Sequence, residues 1–431
     1  MRMTSIQTLF RLSAITLLIA PWLTASSENS TTIPLTLQEY LQQGQNANPD
    51  LQAYAARYDA ARERIPQAAS LPDPMLQVSH FVESVQTRTG PQRNILMLSQ
   101  RLPWFGQLDG RERVADAEAE AVHYAFQARQ LLLARMIGLG FYNYAYTGKA
   151  IELTTKNLAL LEELSPLVEE RVRTGGNLNS LLRLQVEIGK LRDRLATFKQ
   201  QRPRQSAQIA ALLALPGDTL LPWPIWKPTS EALTSDSPDT RSLLASVETN
   251  NPELLMLERK INSSKVRSEL ARLERRPNFT VGLNYIQVDD PTVNPSTPDA
   301  GKDPWALTFA INLPIWNSRT SAARREAHSN QRAAESELAN RQRQLSAALH
   351  SSVSSLRDAQ RRVALYHDEL LPLAQQALEI SRSSYEGGRA SLLEIIDSER
   401  SLLDLELQLW RAHADAAQQR IVLQTIANRP L

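Results

Sequence analysis

The chain has 431 residues, 15 of them glycine, no cysteine, and a formal net charge of +2. Scarce glycine beside abundant Ala, Leu, Gln, Arg and Glu favours long helices over a many-stranded sandwich, in two or three ordinary domains or one elongated one. The near-neutral balance gives nucleic-acid binding no compositional support, and the absence of cysteine excludes disulfides, thiolate metal sites, a cysteine nucleophile and lipid attachment at cysteine.

In chain order, Arg2 and Arg11 precede the apolar run 12–20, followed by Pro21 and the small residues Thr24, Ala25, Ser26 and Ser27. This pattern predicts a secretory signal peptide over residues 1–25. The run is shorter than the ~20 residues a membrane helix needs. No later segment approaches that length, so membrane contact would have to be made by β-strands.

A first repeat is expected over 35–215. It opens with a helical pattern, 37–65, that ends in the proline-rich stretch 66–74. A β-hairpin over 75–102 follows, with Leu76, Val78, His80 and Val82 on one face of its first strand and Leu96, Leu98 and Leu102 on one face of its second. The period of two is that of strands with a single apolar face. A long helix is predicted over 104–173, then a break at Gly175-Gly176, then a return helix over 178–214. Val114, Ala117, Ala121, Ala125, Ala128, Leu132, Met136 and Leu139 step by threes and fours, the spacing of helices wrapped against each other. Pro166 is expected to kink the long helix near its end.

Residues 216–238, rich in proline and tryptophan, read as a linker or an irregular packed strap. Then the pattern begins again, over 239–428. Asn48-Pro49-Asp50-Leu51 recurs as Asn251-Pro252-Glu253-Leu254, Leu102-Pro103-Trp104 as Leu313-Pro314-Ile315-Trp316, and Gly175-Gly176 as Gly387-Gly388. Gln185-Val186-Glu187 corresponds in position to Asp397-Ser398-Glu399. The second copy predicts a helix, a β-hairpin over 278–313, a long helix over 316–385 with Pro372 as its interruption and expected kink, and a return helix over 391–427. Its strands alternate strictly: Phe279, Val281, Leu283 and Tyr285 on one, Leu307, Phe309, Ile311 and Leu313 on the other. Asp289–Asp303 has loop composition.

Two strand pairs leave open edges, which cost several kcal/mol per unpaired group in a bilayer, and four strands cannot close a usable barrel. Several copies must therefore share one. Element order, the signal peptide, the Asn-Pro motif, the Leu-Pro-Trp junctions and the segment Tyr385-Glu386-Gly387-Gly388 … Asp397-Ser398-Glu399-Arg400-Ser401 resemble the TolC family of outer-membrane efflux channels. Leu71-Pro72-Asp73-Pro74 and Leu102-Pro103-Trp104-Phe105-Gly106 are similar to the branch serving heavy-metal resistance-nodulation-division pumps. The resemblance implies a mainly α protein with a small membrane β-barrel part. A homotrimer would form a 12-stranded β-barrel on a long α-helical barrel, held in outer-membrane lipid of a Gram-negative bacterium and reaching through the periplasm. It implies no enzyme activity and no cofactor, but a passive exit duct joined to a periplasmic adaptor and an inner-membrane pump. The alternative is a periplasmic coiled-coil adaptor or scaffold.

The two glycine breaks sit where antiparallel helices reverse, which glycine permits by tolerating positive φ. The resemblance makes Gly175, Gly176, Asn177, Gly387, Gly388 and Arg389 the adaptor-docking tip. Glu394 and Asp397, three apart on one helix face, would by resemblance form a pore gate whose field favours cations. Copy one carries Leu182 and Arg183 where the acid would be, so Arg183 could instead pair with Glu394 or Asp397 as a latch. Trp104, Trp305 and Trp316 flank strands, at interfacial or core positions. The six histidines have no partner at i+3 or i+4, so no metal site and no histidine general base is expected.

Overall fold

The computed structural model describes residues 34–228, 239–291, 296, 298–387 and 389–428. The expected signal peptide, residues 229–238 of the linker, and Gly388 lie outside them. The first repeat contains helices α1 (Leu37–Ala47) and α2 (Pro49–Ala69), strands β1 (Met75–Thr87) and β2 (Gly90–Leu102), then α3 (Gln107–Arg173) and α4 (Leu178–Leu212). The second contains α5 (Thr240–Asn250), α6 (Pro252–Leu273), β3 (Phe279–Val288), β4 (Trp305–Ile311), α7 (Asn317–Ala364), a π-helical turn (Leu365–Leu370), α8 (Leu371–Glu386) and α9 (Leu392–Ile426).

The opening helix of each repeat is two helices, broken at Asn48 and at Asn251. Each Asn caps the helix that Pro49 or Pro252 begins. The Asn48 side-chain carbonyl accepts from the backbone N–H groups of Asp50 and Leu51 (3.0 and 3.2 Å), and that of Asn251 from Glu253 (2.9 Å). Proline at the first helical position costs nothing, because that N–H would be unpaired anyway. The amide of each Asn does a second job: Asn48 Nδ2 donates to the Leu212 carbonyl (3.0 Å) and Asn251 Nδ2 to the Ile426 carbonyl (2.9 Å). These are the last residues of α4 and α9. The motif thus splices the C-terminus of a return helix to the N-terminus of an upper helix, pairing orphan groups of both ends.

Four columns result: α2 continued by α4, α3 alone, α6 continued by α9, and α7 with α8. Packing between α2 and α3, α3 and α6, and α6 and α7 orders the upper half; α4–α3, α3–α9 and α9–α7 order the lower half. The 67 residues of α3 make a rod about 100 Å long. It passes through Pro166 as one continuous helix, as the predicted span 104–173 requires, whereas a π turn lies just before Pro372. Pro66 likewise lies inside α2, in its final stretch.

Residues 216–228 form a packed strap at the waist. Ser206 Oγ accepts from the Leu221 N–H (2.7 Å) and donates to the Thr219 carbonyl (2.8 Å), and Tyr144 Oη donates to the Leu221 carbonyl (2.6 Å). Trp223 stacks near Tyr144 (4.7 Å), Trp226 meets Tyr142 and Trp410 (5.3 and 5.8 Å), and Tyr40 meets Phe141. Gly148 makes room for this strap: a Cβ there would stand 2.8 Å from the Trp223 ring.

The strands form one antiparallel sheet in chain order. Its register places Leu76, Leu98, Leu283 and Leu307 in one rung, Val78, Leu96, Tyr285 and Trp305 in the next, and Leu102, Phe279 and Ile311 in another. Directly paired residues share a face, so the apolar sets expected on the separate strands merge into one apolar face. The opposite face is mixed, carrying Gln77, Ser79, Ser99, Arg101, Thr280, Asn284 and Thr308 together with Met75, Ile95, Met97 and Ile286. The apolar face is solvent-exposed in the single chain, and β1 and β4 are free edges.

Replacing Asn48 or Asn251 with Ala should each cost about 2 kcal/mol, about 1 for the cap and about 1 for the bond to the preceding helix end. Asp at either position keeps the cap acceptor and loses the donor, so it should fall between Asn and Ala. Denaturant unfolding followed by helical circular dichroism checks this; three equal stabilities would contradict the splice.

Candidate functional site

At the far end from the sheet the two helix reversals lie side by side. Val168 of α3, Leu184 of α4 and Leu392 and Ile396 of α9 share one apolar core, with Leu181 and Tyr385 packed against it. The Arg171 guanidinium lies 4.6 Å from the Tyr385 ring centroid, tying the end of α3 to the end of α8.

The first reversal is a glycine-closed helix end. Gly175 takes φ +104°, and the Gly176 N–H donates to the Arg171 carbonyl (2.9 Å). A Cβ on Gly176 would stand 2.6 Å from that oxygen, so position 176 excludes side chains by contact and position 175 by backbone conformation. Asn177 then caps α4, accepting from the Asn179 N–H (2.9 Å). Residues 173–179 are all exposed. The second reversal is built differently. Gly387 has an ordinary φ of −75°, and the Arg389 N–H donates to the Ser384 carbonyl (2.8 Å). Arg389 is exposed.

Glu394 and Asp397 lie on the exposed face of α9, opposite the buried Leu392, Ile395, Ile396 and Glu399. The Glu394 carboxylate accepts from the Ser391 N–H (3.1 Å) and hydroxyl (3.2 Å), so it also serves as a capping-box residue. Asp397 faces Arg400 at 3.8 Å. Arg183 Nε donates to Asn179 Oδ1 (3.2 Å). Within one chain Arg183 therefore bonds along its own helix, and the expected pairing with Glu394 or Asp397 is not made there.

One turn further in, Glu399 is only 3 % exposed. Its carboxylate accepts from Asn157 Nδ2 of α3 (3.1 Å) and Arg382 Nη2 of α8 (2.5 Å), while the Ser381 and Ser398 hydroxyls meet at 3.1 Å. Three helices are joined through one carboxylate. Glu187, at the matching position of the first repeat, is also buried and is held by Lys190 Nζ (3.2 Å). Nearby, burial pushes the Glu406 carboxyl up, against the pull of Lys156 and Lys149.

At the waist a cavity of about 550 Å³ is lined by Tyr142, Trp226, Lys227, His413 and Arg420, among others. Burial pushes the His413 imidazole down to about 4, with a smaller effect of the His367 charge. Among the described residues no group of three or more His, Cys, Asp or Glu side chains could hold a metal ion, and no helix is long and apolar enough to cross a membrane.

Residues 243–429, from α5 to the end of α9, match the outer membrane efflux protein family. That match takes in the second repeat. The first repeat carries the same elements in the same order. Over 424 residues the chain is 23 % identical to nodulation protein T of Rhizobium leguminosarum bv. trifolii, covering 94 % of this chain and 86 % of the relative. Over 399 residues it is 22 % identical to the cobalt-zinc-cadmium resistance protein CzcC of Cupriavidus metallidurans, covering 92 % and 90 %. Among solved structures it superposes on CusC with TM-score 0.76 at 18 % identity, covering 92 % of each chain. It superposes on VceC of Vibrio cholerae with TM-score 0.74 at 19 % identity, covering 91 % and 96 %. The adaptor or scaffold reading finds no support in these likenesses.

The residues predicted at the tip gather at one end, except Gly388, which lies outside the described residues. The sequence reading missed Asn157, Arg382 and Glu399. A signal was present: Leu392, Ile396, Glu399 and Leu403 step by fours and threes, which puts a carboxylate in the apolar seam.

Replacing Arg382 with Ala leaves Glu399 buried with one neutral donor and should destabilise the chain by about 3 kcal/mol. Adding Glu399→Gln should recover much of that loss, since Gln still accepts from Asn157; thermal unfolding of both variants checks the pair.

His413 predicts a pH dependence. Its folded value is below the ordinary 6.5, so the unfolded chain binds the extra proton first on acidification. The contribution is fully present above pH 6.5 and is lost as pH falls toward 4, reaching at most about 2 kcal/mol at pH 5. His413→Gln should flatten the decline in unfolding midpoint between pH 7 and pH 5.

Proposed function

We propose that three copies of the chain close into one ring, a 12-stranded barrel on a tunnel of twelve helical columns, which serves as the passive exit duct of a tripartite efflux system. The observation that carries this reading is the sheet: one largely apolar exposed face, one more polar face and two free edges. A bilayer tolerates such a sheet only when β1 of one copy pairs with β4 of the next. The helical part supports the same closure. On α4, at one flank of the palisade, Leu178, Leu182 and Val186 are exposed in a line; on α8, at the other flank, Leu373 and Ile380 are exposed. Flanks of unlike composition meet head to tail, and a rotation that closes yields a ring.

In this reading the more polar sheet face lines the pore and the helices stand in the periplasm of a Gram-negative cell. The tips, with Gly175, Gly176, Asn177, Gly387, Gly388 and Arg389, dock a periplasmic adaptor, which connects the duct to an inner-membrane pump of the resistance-nodulation-division type. CzcC is named for cobalt, zinc and cadmium resistance, which favours metal ions as cargo here. The cargo would pass without a dedicated protein site.

Glu394 and Asp397, repeated by threefold symmetry, form the acidic gate at the entrance. Arg183 reaches an acid only across the boundary between copies, because within its own chain it bonds Asn179. Replacing both acids with Ala should raise single-channel conductance and weaken cation preference in a planar bilayer. Unchanged conductance and selectivity would remove the gate assignment. No insertion from a soluble monomer would remove the channel reading itself.

A further inference from the structure

The apolar rungs of the sheet end at Leu102, Phe279 and Ile311, where the chain passes into helices. Just beyond, Trp104 stacks on Phe279 (5.5 Å between ring centroids, 26° between planes), which places Trp104 on the apolar side of the sheet. The Arg276 guanidinium lies 5.9 Å from the Trp104 ring, so it stands on that side too, one step past the last apolar rung. Arg275 beside it donates to Asn317 Oδ1 (3.4 Å) at the start of α7. Arg272, Arg275 and Arg276 are all exposed, with Glu274 as the acid among them. The junctions add apolar side chains that nothing in the chain covers: Phe105 is 83 % exposed, Trp316 78 % and Ile315 67 %. Backbone bonding fixes the assembly. The Trp104 N–H donates to Asn278 Oδ1 (3.1 Å), and the Asn312 N–H to the Asn278 carbonyl (3.2 Å).

We infer that this junction is a binding collar for the anionic headgroups of phospholipid in the leaflet on the helix side of the membrane, phosphatidylglycerol being the probe of choice. The inference rests on the channel reading, in which the helices stand in the periplasm and that leaflet is made of phospholipid. Exposed tryptophan and phenylalanine at the end of an apolar face sit at headgroup level. Arginine beside them presents planar donors that match a phosphate diester. The two halves of the collar address the two halves of a lipid: the aromatic rings lie over its acyl boundary and the guanidinia over its charge.

The test uses the full chain, purified and reconstituted in nanodiscs of phosphatidylcholine with and without phosphatidylglycerol, and counts lipid that stays bound by native mass spectrometry. The protein should retain phosphatidylglycerol in preference to phosphatidylcholine. The double variant Arg275→Gln/Arg276→Gln should lose that preference by about fivefold per arginine. Arg275→Lys/Arg276→Lys should keep most of it, and Arg343→Gln, on the middle of α7, all of it. Equal retention by the Gln double variant overturns the inference, as does wild-type protein with no preference or one that holds added lipopolysaccharide in place of phosphatidylglycerol. Protein that assembles and inserts in every bilayer while failing these comparisons leaves the channel intact and removes only the collar. Protein that inserts in none removes both.

Discussion

The sheet imposes the demand that the rest of the molecule answers. Four strands with one apolar face bury that face against nothing in the chain, and the outer strands carry a row of unpaired backbone groups. In lipid each such group costs several kcal/mol. No rearrangement within one chain relieves this, because the strands run in simple chain order and neither edge can reach the other. In the proposed reading closure comes from identical copies, and whatever hangs below the sheet then also repeats around an axis.

The helical part is organised to do so. Each repeat contributes one column that is continuous in sequence and one spliced column, so one chain supplies four columns at every height from sheet to tip. The splice is chemically economical. One asparagine uses its carbonyl to start a helix and its amide to finish another, at a point where both ends would otherwise leave orphan groups. Near the tip the seam changes character. A buried carboxylate held from two other helices replaces a leucine, and its value lies in register rather than in net stability, since an apolar residue there would pack at least as well.

Much of this was legible in the residues. Alternation in 279–285 and 307–313 specified which side chains share a face, and the register aligned those faces across all four strands. The doubled motifs indicated two copies of one unit. What escaped has physical reasons. Asn48 interrupts an apolar period too short to show a break, although asparagine before proline is itself a helix-start signal. Pro166 sits inside α3, as the predicted span required, because packing along the helix compensates for one lost hydrogen bond. The π turn at 365–370 has no composition of its own. Glu399 entered only as part of a repeated motif, because the chain does not announce that its partners arrive from residues 157 and 382. The partners of Arg183 depend on neighbours that no single chain contains.

The splice has a consequence for length. Below it, each repeat is a plain hairpin, α3 with α4 and α7–α8 with α9, closed by a glycine-bearing reversal. Adding a heptad to both arms of each hairpin would preserve every seam contact above and below the insertion, and would leave the strap, the splice and the sheet untouched. The reach of the molecule away from the membrane is therefore a separable quantity. It can lengthen or shorten in steps of about 10 Å per heptad while the part that sits in lipid stays the same, much as a telescope changes length without regrinding its lens.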